Sequence, residues 1–217
     1  MNIRSMARAA LVSAAVTALG AIPASAQSVT FSTQGSFQAG TFGTTVCTST
    51  DCSFGGFTLS YVGEPSLTYL APTDVDLGSF TTKCSTLLGT CSSTAIGSGA
   101  MFTLSIFQTN PSNGTTTFVG SVTGALQVDG GIQSSLVWTP TTFTSAIGGV
   151  TYALITDQGA GVSGKIVINA PSNNTGTVNA TSVKAHITAV PEPASVALMA
   201  TGLVGLIPVA RRRRRNN

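Results

Sequence analysis

Phe102-Thr103-Leu104-Ser105-Ile106 sets a large apolar side chain at every second position with a hydroxyl residue between, and this alternation decides the fold. A period of two sends the apolar set to one face of an extended chain and the hydroxyls to the other, which is the pattern of a half-buried strand. Residues 28–33, 56–62, 75–82, 117–128, 134–138, 150–156, 164–170 and 177–188 show the same apolar and β-branched enrichment. Between these runs lie turn signals: Asn110-Pro111-Ser112-Asn113-Gly114, Asp129-Gly130-Gly131, Gly148-Gly149, Gly159-Ala160-Gly161 and Pro171-Ser172-Asn173-Asn174. Asp129-Gly130 is the best hairpin turn among them. Gly124, inside a strand run, implies a bulge or a bend. No stretch carries a competing helical stripe. Roughly nine or ten short strands with glycine-rich turns predict an all-β domain, an antiparallel β-sandwich of jelly-roll or Ig-like type.

Outward from this centre, both ends of the chain change character. Residues 1–26 carry Arg4 and Arg8, then an apolar stretch to Ile22, then Ala24-Ser25-Ala26. A positive start, an apolar middle and a small-x-small site describe a secretory signal peptide cut by signal peptidase between Ala26 and Gln27. The β domain is then 27–189 and a tail is 190–217. That tail reads Pro191-Glu192-Pro193, an apolar run from Ala194 to Ala210, and Arg211, Arg212, Arg213, Arg214 and Arg215. As a single hydrophobic helix the run is about 25 Å long, the short limit for a hydrocarbon core of roughly 30 Å. Arginines resist translocation, so this end stays in the cytoplasm while the domain lies outside.

The Pro-Glu-Pro signature, the single apolar segment and the terminal arginines, in that order, resemble the PEP-CTERM sorting signal of Gram-negative bacteria. The resemblance covers only the tail. It implies processing by exosortase near Pro191-Glu192-Pro193, transient residence in the inner membrane, delivery to the cell surface or medium, and a link to exopolysaccharide and biofilm.

With the ends set aside, Lys83, Lys165 and Lys184 stand against Asp51, Glu64, Asp74, Asp76, Asp129 and Asp157. A domain of net negative charge with no basic patch has no electrostatic basis for binding nucleic acid. Its abundant Ser, Thr, Gly and Asn imply a neutral, hydroxyl-coated surface.

Cys47, Cys52, Cys84 and Cys91 all lie in the exported part, and an even count there argues for disulfides. Three connectivities are open. The local pairs Cys47–Cys52 and Cys84–Cys91 are favoured because each closes a short loop in a turn-rich stretch. The spacing and the lack of a neighbouring histidine fit zinc poorly.

Catalytic chemistry is hard to assemble. The one histidine, His186, sits within a strand run, reads as a surface or half-buried packing residue, and has no nucleophile motif to serve. Gly161-Val162-Ser163-Gly164 misses the nucleophile-elbow spacing. Asp74 and Asp76 share a strand face, and read either as solvated acids at a strand entry or as a weak calcium site. Trp138 reads first as core. Tyr69, between Pro65 and Pro72 in an expected loop, is the better platform for stacking on a sugar, with Trp138 as the second candidate. No cofactor is expected. The sequence therefore describes a non-enzymatic surface or matrix protein. A carbohydrate-binding module for exopolysaccharide is the alternative, and a secreted hydrolase stands behind both.

Overall fold

A computed structural model describes residues 26–84, 91, 94–127, 135–171 and 178–189. They contain no helix. The strands, in chain order, are β1 (Gln27–Phe37), β2 (Gly40–Phe42), β3 (Thr45–Cys47), β4 (Asp51–Phe54), β5 (Phe57–Gly63), β6 (Leu67–Ala71), β7 (Thr73–Cys84) and β8 (Thr94–Ala95). They continue as β9 (Met101–Asn110), β10 (Gly114–Leu126), β11 (Ser135–Pro140), β12 (Thr144–Ile147), β13 (Val150–Thr156), β14 (Gly159–Ala160), β15 (Ile166–Asn169) and β16 (Asn179–Ala189). A seven-stranded sheet runs β15-β11-β10-β9-β1-β6, with β8 on β10. A nine-stranded sheet runs β12-β13-β16-β7-β5-β4-β3-β2, with β14 on β13. Neighbours in both sheets pair antiparallel.

The deciding stretch lies in β9, where Phe102, Leu104 and Ile106 are fully buried and Thr103 and Ser105 are not. β13 alternates the same way along its whole length. Apolar faces of the two sheets meet in a shared core. Phe102 of β9 packs on Phe80 of β7 with ring centroids 4.6 Å apart, and on Trp138 of β11 edge-to-face at 5.2 Å. Tyr61 of β5 and Phe37 of β1 complete this cluster. A second cluster joins Phe31 of β1 to Tyr69 and, from the other sheet, Tyr152. Rings in these geometries gain quadrupole attraction beyond the area they bury.

One irregularity organises the middle of the core. The β7–β16 register shifts between Val183 and Lys184, opposite Gly78, whose φ is +124°. A side chain at residue 78 would meet the Val62 carbonyl oxygen at 2.4 Å, so only glycine fits. Beside this bulge the Leu77 carbonyl accepts the Tyr61 hydroxyl at 2.5 Å and also the Thr33 hydroxyl. Two side-chain donors thereby satisfy a buried acceptor.

More strands form than the sequence predicts. β2, β3, β4, β6, β8, β12 and β14 are short additions, and β6 places Tyr69 on an edge strand instead of in a loop. Gly148-Gly149 does form a two-residue hairpin, with φ of 51° and 81° between β12 and β13, as a type I′ turn requires. Of the turn expected at Gly159-Ala160-Gly161, Gly161 does lie in a turn, while Gly159 and Ala160 form β14 and pair with β13 across a turn at Asp157-Gln158. Gly124 has φ +110° without a register shift against β11, so no bulge forms there on that side. The Asp129-Gly130-Gly131 turn, Ser172 to Asn174, the signal peptide and the tail helix lie outside the described residues.

Candidate functional site

β7 enters its sheet through Thr73-Asp74-Val75-Asp76, with Val75 buried and both acids turned outward. The register sets Asp74 opposite His186 and Asp76 opposite Lys184 on β16. His186 Nδ1 lies 2.6 Å from Asp74 Oδ1, and Lys184 Nζ lies 4.0 Å from Asp76 Oδ1. Each carboxylate therefore faces a base of this chain across the sheet, and the four side chains form one exposed strip. Exposed pairs of this kind contribute about 0–1 kcal/mol each. Among the described residues no three His, Cys, Asp or Glu side chains gather as a metal-binding group.

Of the two aromatic candidates, Trp138 is fully buried between Phe80 and Phe102, so its ring offers no face to a ligand. Its Nε1 has no hydrogen-bond partner, and Gly120 leaves the room it occupies. Tyr69 remains half-exposed, stacked on Phe31 at 5.4 Å and 21°. Burial first, and then the negative charges of Glu64 and Asp76, raise its pKa, so the phenol stays a neutral donor. Leu70, next to it on the same edge strand, is 63% exposed.

Both cysteine pairs are disulfides of the local kind. Cys47 and Cys52 face each other across β3 and β4, with Cα atoms 4.0 Å apart. Cys84, the last residue of β7, joins Cys91 at 6.1 Å. These are the pairs that sequence reasoning favoured, because each closes a short loop in a turn-rich stretch.

Charge divides the two sheets, which sequence reasoning missed. None of the seven strands of the smaller sheet holds an Asp, Glu, Lys, Arg or His. Asp51, Asp74, Asp76, Lys83, Lys184 and His186 all belong to the larger one. Thr30, Ser32, Thr103 and Ser105 stand on the uncharged outer face, each alternating with core residues, and Thr115 and Thr117 of β10 are exposed beside them. The signal was present strand by strand, but it becomes a surface only once the strand order is known.

The ends also converge. Gln27 opens β1 opposite Ala71, the last residue of β6. Ile187, near the end of β16, pairs with Thr73, the first residue of β7. Ala71-Pro72-Thr73 carries the chain from one sheet to the other. Gln27 and Ile187 thus lie within roughly 20 Å of each other, two interstrand steps and one short corner apart. The opposite pole, at the far end of the 12-residue β7, holds Cys84. At a rise of about 3.3 Å per residue that pole is roughly 35 Å away.

Ala24, Pro191, Glu192, Pro193 and Arg211 to Arg215 lie outside the described residues, while Ala26 and Gln27 fall within them. Among the described residues no helix is long and apolar enough to cross a membrane. Residues 189–215 match the family model of the PEP-CTERM protein-sorting motif. The match begins at Ala189, the final residue of β16, so the motif follows the last strand without a linker. That motif implies an exported protein sorted by exosortase to the cell envelope or surface. No curated protein and no solved structure matches the chain.

Proposed function

We propose that this chain is a non-enzymatic surface or matrix protein of a Gram-negative bacterium, a β-sandwich sorted by exosortase and working within the organism's exopolysaccharide. The observation that carries the reading is the PEP-CTERM motif joined directly to β16. Signal peptidase cuts between Ala26 and Gln27, the apolar tail pauses in the inner membrane, and exosortase cuts near Pro191-Glu192-Pro193. Prolines hold that segment extended and keep it out of both ladder and helix, which favours access by a protease. An uncharged sheet face that mixes Ser and Thr hydroxyls with exposed Phe107 and Val167 suits contact with hydrated neutral polymer, since no fixed charge must be desolvated there.

The test is the mass of the protein recovered from the surface and medium of its host. A chain running from Gln27 to the region of Pro191 is the expected product. A chain that retains Ala194 to Asn217 would make the protein a plain membrane anchor and remove the basis for the matrix role.

Carbohydrate binding is the second reading, favoured by Tyr69, a half-exposed ring already fixed by Phe31 on an edge strand. Extracted polysaccharide should then raise the thermal midpoint, and Tyr69→Ala should remove the rise while the domain stays folded. An equal rise in the variant excludes this site.

A further inference from the structure

An open depression of about 500 Å³ is lined from both sheets. Thr139 comes from β11, Phe143 from just before β12, Asp157 and Gln158 from just after β13, and Ser163 and Lys165 from the approach to β15. β15 ends the smaller sheet at the edge opposite β6, so this place is separate from Tyr69.

The polar groups of the lining are held in position. The Asp157 N–H donates to the Lys165 carbonyl oxygen at 3.0 Å, and Asp157 Oδ1 accepts the Lys165 N–H at 2.8 Å. Gly164 makes the approach possible, because a Cβ there would meet Asp157 Oδ1 at 2.6 Å. The Thr156 hydroxyl secures the turn from beneath: it donates to the Gly159 carbonyl oxygen at 3.1 Å and accepts the Gln158 N–H at 3.2 Å. The Asp157 carboxylate is thus fixed through one oxygen. Among the described residues its other oxygen has no hydrogen-bond partner, and neither Asp157 nor Lys165 forms an ion pair.

We propose that this depression binds an uncharged hexopyranose, one sugar residue of a neutral glycan. It adds a site that the reading above does not name, and it stands whichever way the tail is processed. The lining itself selects the ligand. An anion would meet the Asp157 carboxylate, and a metal ion would find Lys165 and one carboxylate where it needs several oxygens. An apolar ligand would find Phe143 as the one apolar side chain beside five polar ones. A pyranose matches both parts, with a C–H face for the aromatic ring and hydroxyls around its rim that donate and accept. The free Asp157 oxygen accepts a hydroxyl proton, the Lys165 ammonium donates to a hydroxyl oxygen, and the Gln158 amide does either. Because the carboxylate is already fixed, less order has to be imposed on binding.

The protein recovered from its host is titrated with the methyl pyranosides of glucose, galactose and mannose, with methyl glucuronide as the charged control. Binding is read by saturation-transfer NMR. At least one neutral pyranoside should bind with a Kd of about 1–10 mM, more tightly than the glucuronide. Asp157→Asn keeps an oxygen for the Lys165 N–H but loses the charge, and should weaken binding about tenfold; Gln158→Ala should weaken it about threefold. Both residues are exposed, so the thermal midpoint of each variant should stay close to that of the parent. Tyr69→Ala should leave sugar binding unchanged. No binding of any of the three neutral sugars overturns the inference and leaves the sorted-protein reading standing. Tighter binding of the glucuronide overturns the uncharged ligand. Binding that persists in Asp157→Asn and Gln158→Ala but is lost in Tyr69→Ala moves the site to β6 and overturns the inference as well.

Discussion

The Tyr152 hydroxyl donates a 2.7 Å hydrogen bond to Oε1 of Gln108, joining β13 of one sheet to β9 of the other inside the core. Gln108 is 2% exposed, and its amide nitrogen donates in turn to the carbonyl oxygens of Ser112 at 2.9 Å and Ile147 at 3.3 Å. A buried amide thus finds partners at both ends and fixes how the β9–β10 and β12–β13 turns sit together. Tyr152→Phe removes the donor and leaves Oε1 enclosed. Its expected cost is about 1–3 kcal/mol in urea unfolding, since a buried unpaired acceptor loses its full solvation. An unchanged midpoint would mean that water replaces the phenol.

Alkali should act through the tyrosines. Burial, as the leading cause, pushes the Tyr61 and Tyr152 phenols well above their ordinary value near 10. Above that value the unfolded chain gives up protons that the folded chain still holds, so stability declines as pH rises. Absorbance of phenolate should show these two rings ionising together with the loss of near-UV circular dichroism. Smooth ionisation of all three tyrosines near pH 10 with the fold intact would refute this.

Gly78→Ala should be among the costliest single-atom additions in the domain. It forces a side chain into φ +124° and against the Val62 carbonyl oxygen and the Tyr61 hydroxyl. Strain of this kind costs about 1–3 kcal/mol before any clash is relieved. Calorimetry should show a large fall in midpoint for Gly78→Ala and a smaller one for Gly43→Ala, where φ +62° strains a side chain but nothing lies within 4 Å of the added atom. Equal effects would show that the bulge tolerates a side chain.

Reduction should weaken the domain without dismantling it. The disulfides close loops with sequence separations of 5 and 7. Loop entropy assigns each about 2 kcal/mol, the low end for a disulfide. A dithiol should therefore lower the urea midpoint while the far-UV β signal persists in water. Complete unfolding on reduction would show that the crosslinks hold a core too weak to stand alone.

Replacing Arg211 to Arg215 with serine should let the tail slip out of the membrane before the second cut. Fractionation should then find uncut precursor in the periplasm or medium. Normal processing would show that the apolar run alone holds the tail.

The sequence made the long strands legible because burial and alternation coincide there. β13 falls on the predicted residues 150–156, β7 and β9 extend their predicted runs by a few residues, and β10 starts three residues before its run and ends at Leu126. Short strands were hidden for a physical reason. β2, β3 and β4 hold three or four residues each, too few for a period to show, and they exist because antiparallel neighbours supply the hydrogen bonds. Tyr69 was placed in a loop because flanking prolines outweighed a five-residue run. The Asp74–His186 and Asp76–Lys184 pairs join residues more than a hundred positions apart, and the one-residue shift at Gly78 that aligns them has no local signature.

The pole that gathers Gln27 and the end of β16 has an orientational consequence. Under the proposed export route both ends would be tethered to one membrane, so the domain would hang from it by a single corner, and a pull on either tether would peel strands from their ends one rung at a time. The opposite pole would then point away from the cell. That pole carries the Cys84–Cys91 disulfide beside the Gly55-Gly56 turn of β4 and β5, so the side turned outward would hold a crosslink and the side turned toward the envelope the two chain ends.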